Sequence, residues 1–302
     1  MDLRHLRSFV TVATERNFTR AAERLNIAQP PLSRQIRELE DEIGAALFDR
    51  SSRPVRLTEA GRLLYEQAIQ ILASMDQLKH TMRQLVSAQQ PRFVIGVVGS
   101  IMQGSLPEMI RNFRQQAGEV EVELVELTTL EQVAALKAGR IDAGLGRIRI
   151  DDPAIRREIL YEEPLIAALS SADPLAGAGG PIPISALAGG TLIIYPTYPR
   201  PSYADQVLGL LRDHGCAPHK IVGVREVQAA MGLVAAQSGR AIVPTSMRHI
   251  QRSDIVYAPI LEAPTSPVIL SQRQVDVSAN ASLIREIGRT VFRSTADGDG
   301  LA

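Results

Sequence analysis

Ala28-Gln29-Pro30-Pro31-Leu32-Ser33-Arg34-Gln35-Ile36-Arg37-Glu38-Leu39 is the stretch that decides how the N-terminal end of this chain folds. Proline has no N–H to donate and is tolerated in a helix only in its first turn, so the two prolines mark a helix start. Leu32, Ile36 and Leu39 then recur at i, i+4 and i+7 and form a buried stripe. The opposite face carries Gln29, Pro30, Ser33, Arg34 and Arg37, with Pro31 beside them. Upstream, Leu3, Leu6, Phe9, Val10 and Ala13 predict a helix over about residues 3–15. Asn17 is placed to cap a short second helix through Leu25, in which Ala21 and Ala22 permit close contact. A short helix, a tight turn at Asn26-Ile27-Ala28 and a helix with a polar, arginine-bearing first half make a helix-turn-helix. The second helix of such a unit enters the major groove with its N-terminal residues on base edges.

Downstream, Leu47–Leu57 reads as a short hairpin with a basic, hydroxyl-rich tip, a wing suited to phosphates or a narrow minor groove. Arg53 is its first candidate contact and Arg50 a weaker one, with Ser52. The alternative is a plain three-helix module with a solvated polar face. Charge bears on the choice. The whole chain of 302 residues balances 33 basic against 33 acidic side chains, which by itself argues against a nucleic-acid partner. Residues 1–58, however, hold ten arginines against eight acids, and residues 91–302 hold 20 basic against 22 acidic, so zero is a sum of opposed regions.

Several runs resemble the LysR-type transcriptional regulators over some 60 gap-free residues. They are Leu3-Arg4-His5-Leu6-Arg7, Asn17–Ala22, Ala28–Ile36, Leu39-Glu40 and Leu57-Thr58-Glu59-Ala60-Gly61. The resemblance implies a winged helix-turn-helix over residues 1–58, a linker and dimerisation helix over 59–90, and an effector-binding domain over 91–302. It also implies promoter DNA, RNA polymerase and further copies of the chain, as homodimer or homotetramer, for partners. Independently, Thr58 is placed to cap a long helix to about Ser87. In it Leu64, Ala68, Ile71, Met75, Leu78, Met82 and Leu85 alternate spacings of four and three, the seam of a two-stranded coiled coil. A globular helix usually shows a wider apolar stripe than this.

Beyond Pro91 strand and helix patterns alternate, which predicts an α/β domain with a mostly parallel sheet. The expected strands are Phe93–Gly99, Val120–Leu127, Ile141–Arg147, Leu165–Leu169, Leu192–Tyr195, Ile221–Val224, Ala241–Val243 and Val268–Ser271. The expected helices are Leu106–Gln116, Thr129–Ala138, Tyr203–His214, Val227–Gln237 and Ala281–Phe292, with Ser294–Ala302 a frayed tail. Two α/β subdomains follow, about 91–162 with 268–302 and about 163–267, joined by two crossings and separated by a cleft. Their overall plan is like that of periplasmic binding proteins. Ligands of open α/β sheets bind beyond the carboxyl ends of the strands. There Ser100 and Thr129 belong to one subdomain, Ser202 and Tyr203 to the other, and Arg147 ends a strand. Helix starts at Thr129 and Ser202 offer free N–H groups to anions, so a molecule with an anion at each end could bridge the cleft. Each of these hydroxyls taken alone is more simply a helix cap.

Longer runs resemble one branch of the same family, the regulators of catechol and benzoate degradation that respond to cis,cis-muconate or chloromuconate. They are Val98-Gly99-Ser100, Thr128–Arg147, Tyr195-Pro196, Pro199–Asp205, Arg225–Gln228 and Gly232–Ala236. In that branch the positions matching Ser100, Thr129, Arg147, Ser202 and Tyr203 line the effector site. Some members have asparagine and phenylalanine where Ser202 and Tyr203 stand. Some hold benzoate in an inner pocket through an arginine near the position of Tyr161; Leu160-Tyr161-Glu162 supplies none, which counts against a second benzoate site here. The function implied is activation of aromatic-compound degradation genes.

Other chemistry finds little support. Cys216 is a lone cysteine, the five histidines are scattered, and no metal or cofactor site is expected. Gly144-Leu145-Gly146 lacks the third glycine of a dinucleotide fingerprint. No nucleophile elbow or phosphate loop appears, so no enzymatic activity is expected. With no signal-like or membrane-spanning apolar run, the expected location is the cytoplasm. The rival reading is a small-molecule binding protein or α/β enzyme with an N-terminal oligomerisation module.

Overall fold

A computed structural model of the chain describes residues 2–49, 51–52, 54–86, 91–177 and 179–299. The chain divides into two compact units, Met1–Ala88 with Lys137–Gly139 and Gln89–Leu136 with Arg140–Ala302. In the first, α1 (Leu3–Glu15), α2 (Phe18–Arg24) and α3 (Gln29–Ile43) are followed by β1 (Phe48–Asp49), β2 (Arg56–Leu57) and α4 (Glu59–Val86). Asn17 caps α2, its Oδ1 accepting the N–H of Thr19 at 2.8 Å. Ala28 gives α3 no side-chain cap, but Pro30 and Pro31 remove two of the N–H groups that a cap would have to satisfy. Leu32, Ile36 and Leu39 are buried as their spacing predicts, packed with Leu6, Phe9, Val12, Ala21 and Ala22. The hairpin pairs Phe48 with Leu57 and Asp49 with Arg56. Its base is anchored by Phe48, whose ring lies 5.3 Å from Phe9 and 5.7 Å from Phe18. Arg50 and Arg53, the two basic wing candidates, lie outside the described residues.

Thr58 caps α4 as expected, accepting the Gly61 N–H at 3.0 Å while its hydroxyl donates to the Ala46 carbonyl at 2.7 Å. The seven-residue seam divides. Ala68 is fully buried in the core of its own unit, and Leu64, Tyr65 and Leu72 pack against that core. This corrects the expectation of one continuous seam, because three short helices leave an open side that the first turns of α4 must close. Farther along, Ile71, Leu78 and Met82 remain exposed at 41%, 54% and 49%.

The second unit contains β3 (Arg92–Val97), α5 (Leu106–Gln116), β4 (Glu121–Glu126), α6 (Thr129–Lys137), β5 (Ala143–Gly146), β6 (Ile155–Ser170) and α7 (Ile184–Ala188). It continues with β7 (Thr191–Ile194), α8 (Tyr203–Asp213), β8 (Lys220–Gly223), α9 (Val227–Ala235), β9 (Arg240–Pro244), β10 (Ile255–Pro259), β11 (Thr265–Arg273) and α10 (Ala279–Asp299). The strand order is β4-β3-β5-β11-β6-β9-β7-β8, with β10 also on β6. Two cores lie along it. One gathers Phe93, Ile95, Val97, Phe113, Leu145 and Ile284; the other gathers Leu165–Leu169, Leu192, Leu211, Val234 and Val243. Residues 155–164 of β6 pair with β11, while its last residues pair with β9 and β10, so one long strand belongs to both lobes.

The sheet is mixed, which corrects the expectation of a mostly parallel one. β3 runs parallel to β4 and β5, and β7 to β8 and β9. β6, β10 and β11 run antiparallel to their neighbours, because chain that leaves one lobe and returns must traverse the sheet both ways. The first half of β6 (Ile155-Arg156-Arg157-Glu158) is too charged to read as a strand, and β10 and α7 were likewise not expected. The helix α10 runs on to Asp299, where a frayed tail was expected from Ser294.

Gly61 marks the closest approach in the first unit, since a Cβ there would lie 2.1 Å from the Leu47 carbonyl oxygen. Gly61→Ala should therefore force α4 away from the base of the wing and cost about 1–3 kcal/mol, as overpacking does. Chemical denaturation followed by circular dichroism will show this as an earlier transition of the first unit only.

Candidate functional site

The second unit encloses a cavity of about 210 Å³ beyond the carboxyl ends of β3, β4, β5 and β7. Ser100, Thr129, Arg147, Ser202 and Tyr203 all line it, so the five positions named from sequence are brought together. Each is held by a recognisable local device. Thr128 and Glu131 make a capping pair, with the Thr128 N–H donating to Glu131 at 2.9 Å, and this sets Thr129 as the first residue of α6. Gly144 and Gly146 serve close packing: a Cβ on Gly144 would lie 2.8 Å from Gln132 Oε1 and one on Gly146 2.6 Å from Thr129 Oγ1. Ser202 begins α8 in a capping box with Asp205. Burial pushes the Asp205 carboxyl up, but Arg200 and the Ser202 N–H together hold it below the ordinary value.

Arg147 is the centre of the site. Its side chain is 2% exposed and bound on several sides. Its backbone N–H donates to Thr129 Oγ1 at 3.3 Å, Nε to Ser100 Oγ at 2.9 Å, and Nη2 to Glu163 Oε2 at 2.5 Å. The other Glu163 oxygen accepts the Ser246 N–H at 2.7 Å, and the Ser246 hydroxyl donates to the Ser100 carbonyl at 3.3 Å. The four residues close a ring. Arg147 thus brings little uncompensated charge to the cavity, because Glu163 offsets it. What it leaves over is Nη1, buried with no hydrogen-bond partner.

Two of the named side chains turn away from a ligand. The Ser202 hydroxyl donates to the Pro196 carbonyl at 2.7 Å, and the Tyr203 hydroxyl to the Ile242 carbonyl at 3.1 Å. What they present to the cavity is the N-terminal end of α8, where unpaired backbone N–H groups favour an anion. Sequence reasoning quoted Tyr195 and Arg225 within runs of resemblance but named neither them nor Glu163 as site residues. Tyr195 lies against Tyr203, with ring centroids 5.2 Å apart, and its buried hydroxyl makes no close hydrogen bond among the described residues. Burial pushes both phenols well above their ordinary range, so both stay protonated. Glu163 belongs to a charged run that reads as solvated surface, and nothing local to it signals burial. Arg225 lines the cavity from the loop after β8, and only its position in the fold reveals this.

A second cavity, of about 220 Å³, lies on the other side of the ring. Tyr161, Glu163, Ser246, Arg248 and His249 contribute to its walls. Tyr161 thus stands beside it with a phenol in place of a guanidinium, while Arg248 brings one from the turn after β9.

On the first unit, Gln29, Pro30, Pro31, Arg34 and Arg37 are exposed along one side of α3 and Ser33 is half-buried among them. Gln29 Nε2 donates to Ser33 Oγ at 3.3 Å, and Arg34 Nε to Glu38 at 2.8 Å. The exposed half of α3 thus presents basic and amide donors to solvent. Among the described residues no group of histidine, cysteine or carboxylate side chains could hold a metal ion, and no helix is long and apolar enough to cross a membrane.

Residues 3–62 match the model of the bacterial regulatory helix-turn-helix proteins of the lysR family, and residues 87–290 match the LysR substrate binding domain. The chain is 47% identical over 293 residues to the "Probable cat1 operon transcriptional activator" of Acinetobacter lwoffii, covering 97% of this chain and 96% of that one. The BenM effector binding domain with its effector benzoate superposes with a TM-score of 0.63 at 37% identity, covering 68% of this chain and 94% of that one. Full-length CbnR, solved with its target DNA, superposes with a TM-score of 0.61 at 30% identity, covering 96% of this chain and 100% of that one. The named relatives are regulators and not enzymes.

The buried ring generates a stability test. Arg147→Met leaves the Glu163 carboxylate buried without its cation and should cost about 3–5 kcal/mol. Arg147→Met combined with Glu163→Leu should recover most of that loss in urea denaturation. A single substitution costing under about 1 kcal/mol would mean that water, not the pair, satisfies these groups.

Proposed function

The chain belongs to the LysR family of bacterial transcriptional regulators, and from that premise we propose that it activates aromatic-compound degradation genes in response to a small dicarboxylate such as cis,cis-muconate or a chloromuconate. The observation that carries this reading is the cavity lined with hydrogen-bond donors. Ser100, Thr129 and Arg147 line it from the ends of β3, β4 and β5, and Ser202 and Tyr203 line it from the start of α8. A volume of about 210 Å³ is below the roughly 300–1,000 Å³ of drug-sized sites, which suits a ligand of few atoms. A relative named as an activator and a structural neighbour whose effector is benzoate support the same direction.

Ligand acts by binding one arrangement of the protein better than another, a coupling typically worth about 1–3 kcal/mol. DNA is read by α3, with Gln29, Pro30, Pro31, Ser33 and Arg34 towards base edges and Arg37 on phosphate, while Arg50 and Arg53 of the wing reach phosphate or the minor groove. The exposed Ile71, Leu78 and Met82 of α4 are covered by the same helix of a second copy. Homodimers then assemble into tetramers, and the protein works in the cytoplasm on promoter DNA with RNA polymerase.

A thermal-shift panel tests the effector. Muconate and chloromuconates should stabilise the protein selectively over benzoate and unrelated dicarboxylates, by about 2.7 kcal/mol at a hundredfold excess over Kd. Ser100→Ala and Thr129→Ala should weaken that shift while DNA affinity persists, and an unchanged shift in both would rule out this cavity. Arg34→Ala should abolish specific binding to DNA from upstream of its own gene and leave the muconate shift intact.

A further inference from the structure

Of the two exposed arginines on α3, Arg34 is tethered, and Arg37 has no ion pair among the described residues. Arg34 Nε donates to Glu38 Oε1 at 2.8 Å, one turn farther along the helix. The second Glu38 oxygen lies 3.5 Å from Nε2 of His5 on α1, and His5 Nδ1 lies 3.6 Å from Asp2. Glu38 is therefore braced from a second helix and does not simply follow Arg34. Helix stability gains little from the pair, since an acid placed after its base is the weaker orientation at this spacing. Both side chains stay open to solvent, Arg34 at 81% exposure, so the pair is available to a partner.

A carboxylate beside a reading arginine treats the two kinds of DNA acceptor differently. A phosphate is an anion and is repelled by Glu38 as it approaches Arg34. A guanine edge is uncharged, carries two acceptors matched to the guanidinium, and meets no such repulsion. We propose that Glu38 is a specificity-setting residue of DNA recognition, which holds Arg34 off phosphates and leaves it free to exchange its carboxylate for a guanine edge. This rests on the reading that Arg34 faces bases.

The test uses the full chain, fluorescence anisotropy, and two duplexes: a fragment from upstream of its own gene and a random sequence of equal length. Glu38→Gln should tighten random-sequence binding and make its salt dependence steeper by about one phosphate contact. The ratio of specific to random affinity should fall about fivefold or more, the low end of what one base contact is worth. Introduced into Arg34→Ala, the same substitution should leave random-sequence affinity and its salt dependence unchanged. An equal change in that background would show loss of a surface charge only, and would overturn the proposal. Weaker binding to both duplexes with a lower Tm would overturn it by showing a structural role, and so would no change at all. If Arg34→Ala alone leaves specific binding intact, the underlying reading of Arg34 fails instead.

Discussion

A guanidinium and a carboxylate that have both left water set the terms for the second unit. Removing each ion from solvent costs several kcal/mol, and the attraction between them offsets that cost only when hydrogen bonds satisfy the remaining atoms. Here the pair and its two serine partners come from four separate places in the chain. Ser100 lies just after β3, Arg147 just after β5, Glu163 on β6 and Ser246 just after β9. The ion pair is stable only while these elements keep their spacing, so it ties both lobes to one geometry. It also separates two cavities, with Arg147 on the wall of one and Glu163 on the wall of the other.

Such an arrangement is a suitable place for a switch. A ligand that offers an anion to Arg147 competes directly with Glu163, and whichever oxygen loses must find another donor. The protein already holds donors in reserve there, in the unpartnered Arg147 Nη1 and Tyr195 hydroxyl. Buried polar groups left without partners cost free energy, and a ligand that satisfies them recovers it. Differential affinity of this kind is what population shift requires. Tight binding to both arrangements alike would move nothing.

Local signals carried most of the architecture. Pro30-Pro31, Asn17 and Thr58 announce helix starts through chemistry that acts within four residues, and α3, α2 and α4 begin where they indicate. The five cavity residues were legible because strand ends and helix starts are themselves local features. What escaped depends on distant chain. Glu163 looks like surface until β9 and β5 close over it, and the charged start of β6 becomes a strand only because β11 pairs with it. The Tyr203 hydroxyl could equally have pointed at a ligand; its partner, the Ile242 carbonyl, lies 39 residues away.

The split of the α4 seam bears on the net charge of zero. A DNA-binding chain with no overall positive field cannot rely on long-range attraction, and its affinity must come from local patches and from more than one contact at a time. In the pairing of two copies proposed above, the second contact would come at high effective concentration without any added charge. That requires the pairing helix to be fixed rigidly to the part that touches DNA, since a slack joint would dilute the effect. Ala68 and Leu64 provide the fixing by packing α4 into the core beside α1, and Ile71, Leu78 and Met82 continue the same helix outward. One uninterrupted helix therefore first closes the three-helix core and then carries an exposed apolar row. The division between them is set by where the three-helix core stops needing a fourth wall.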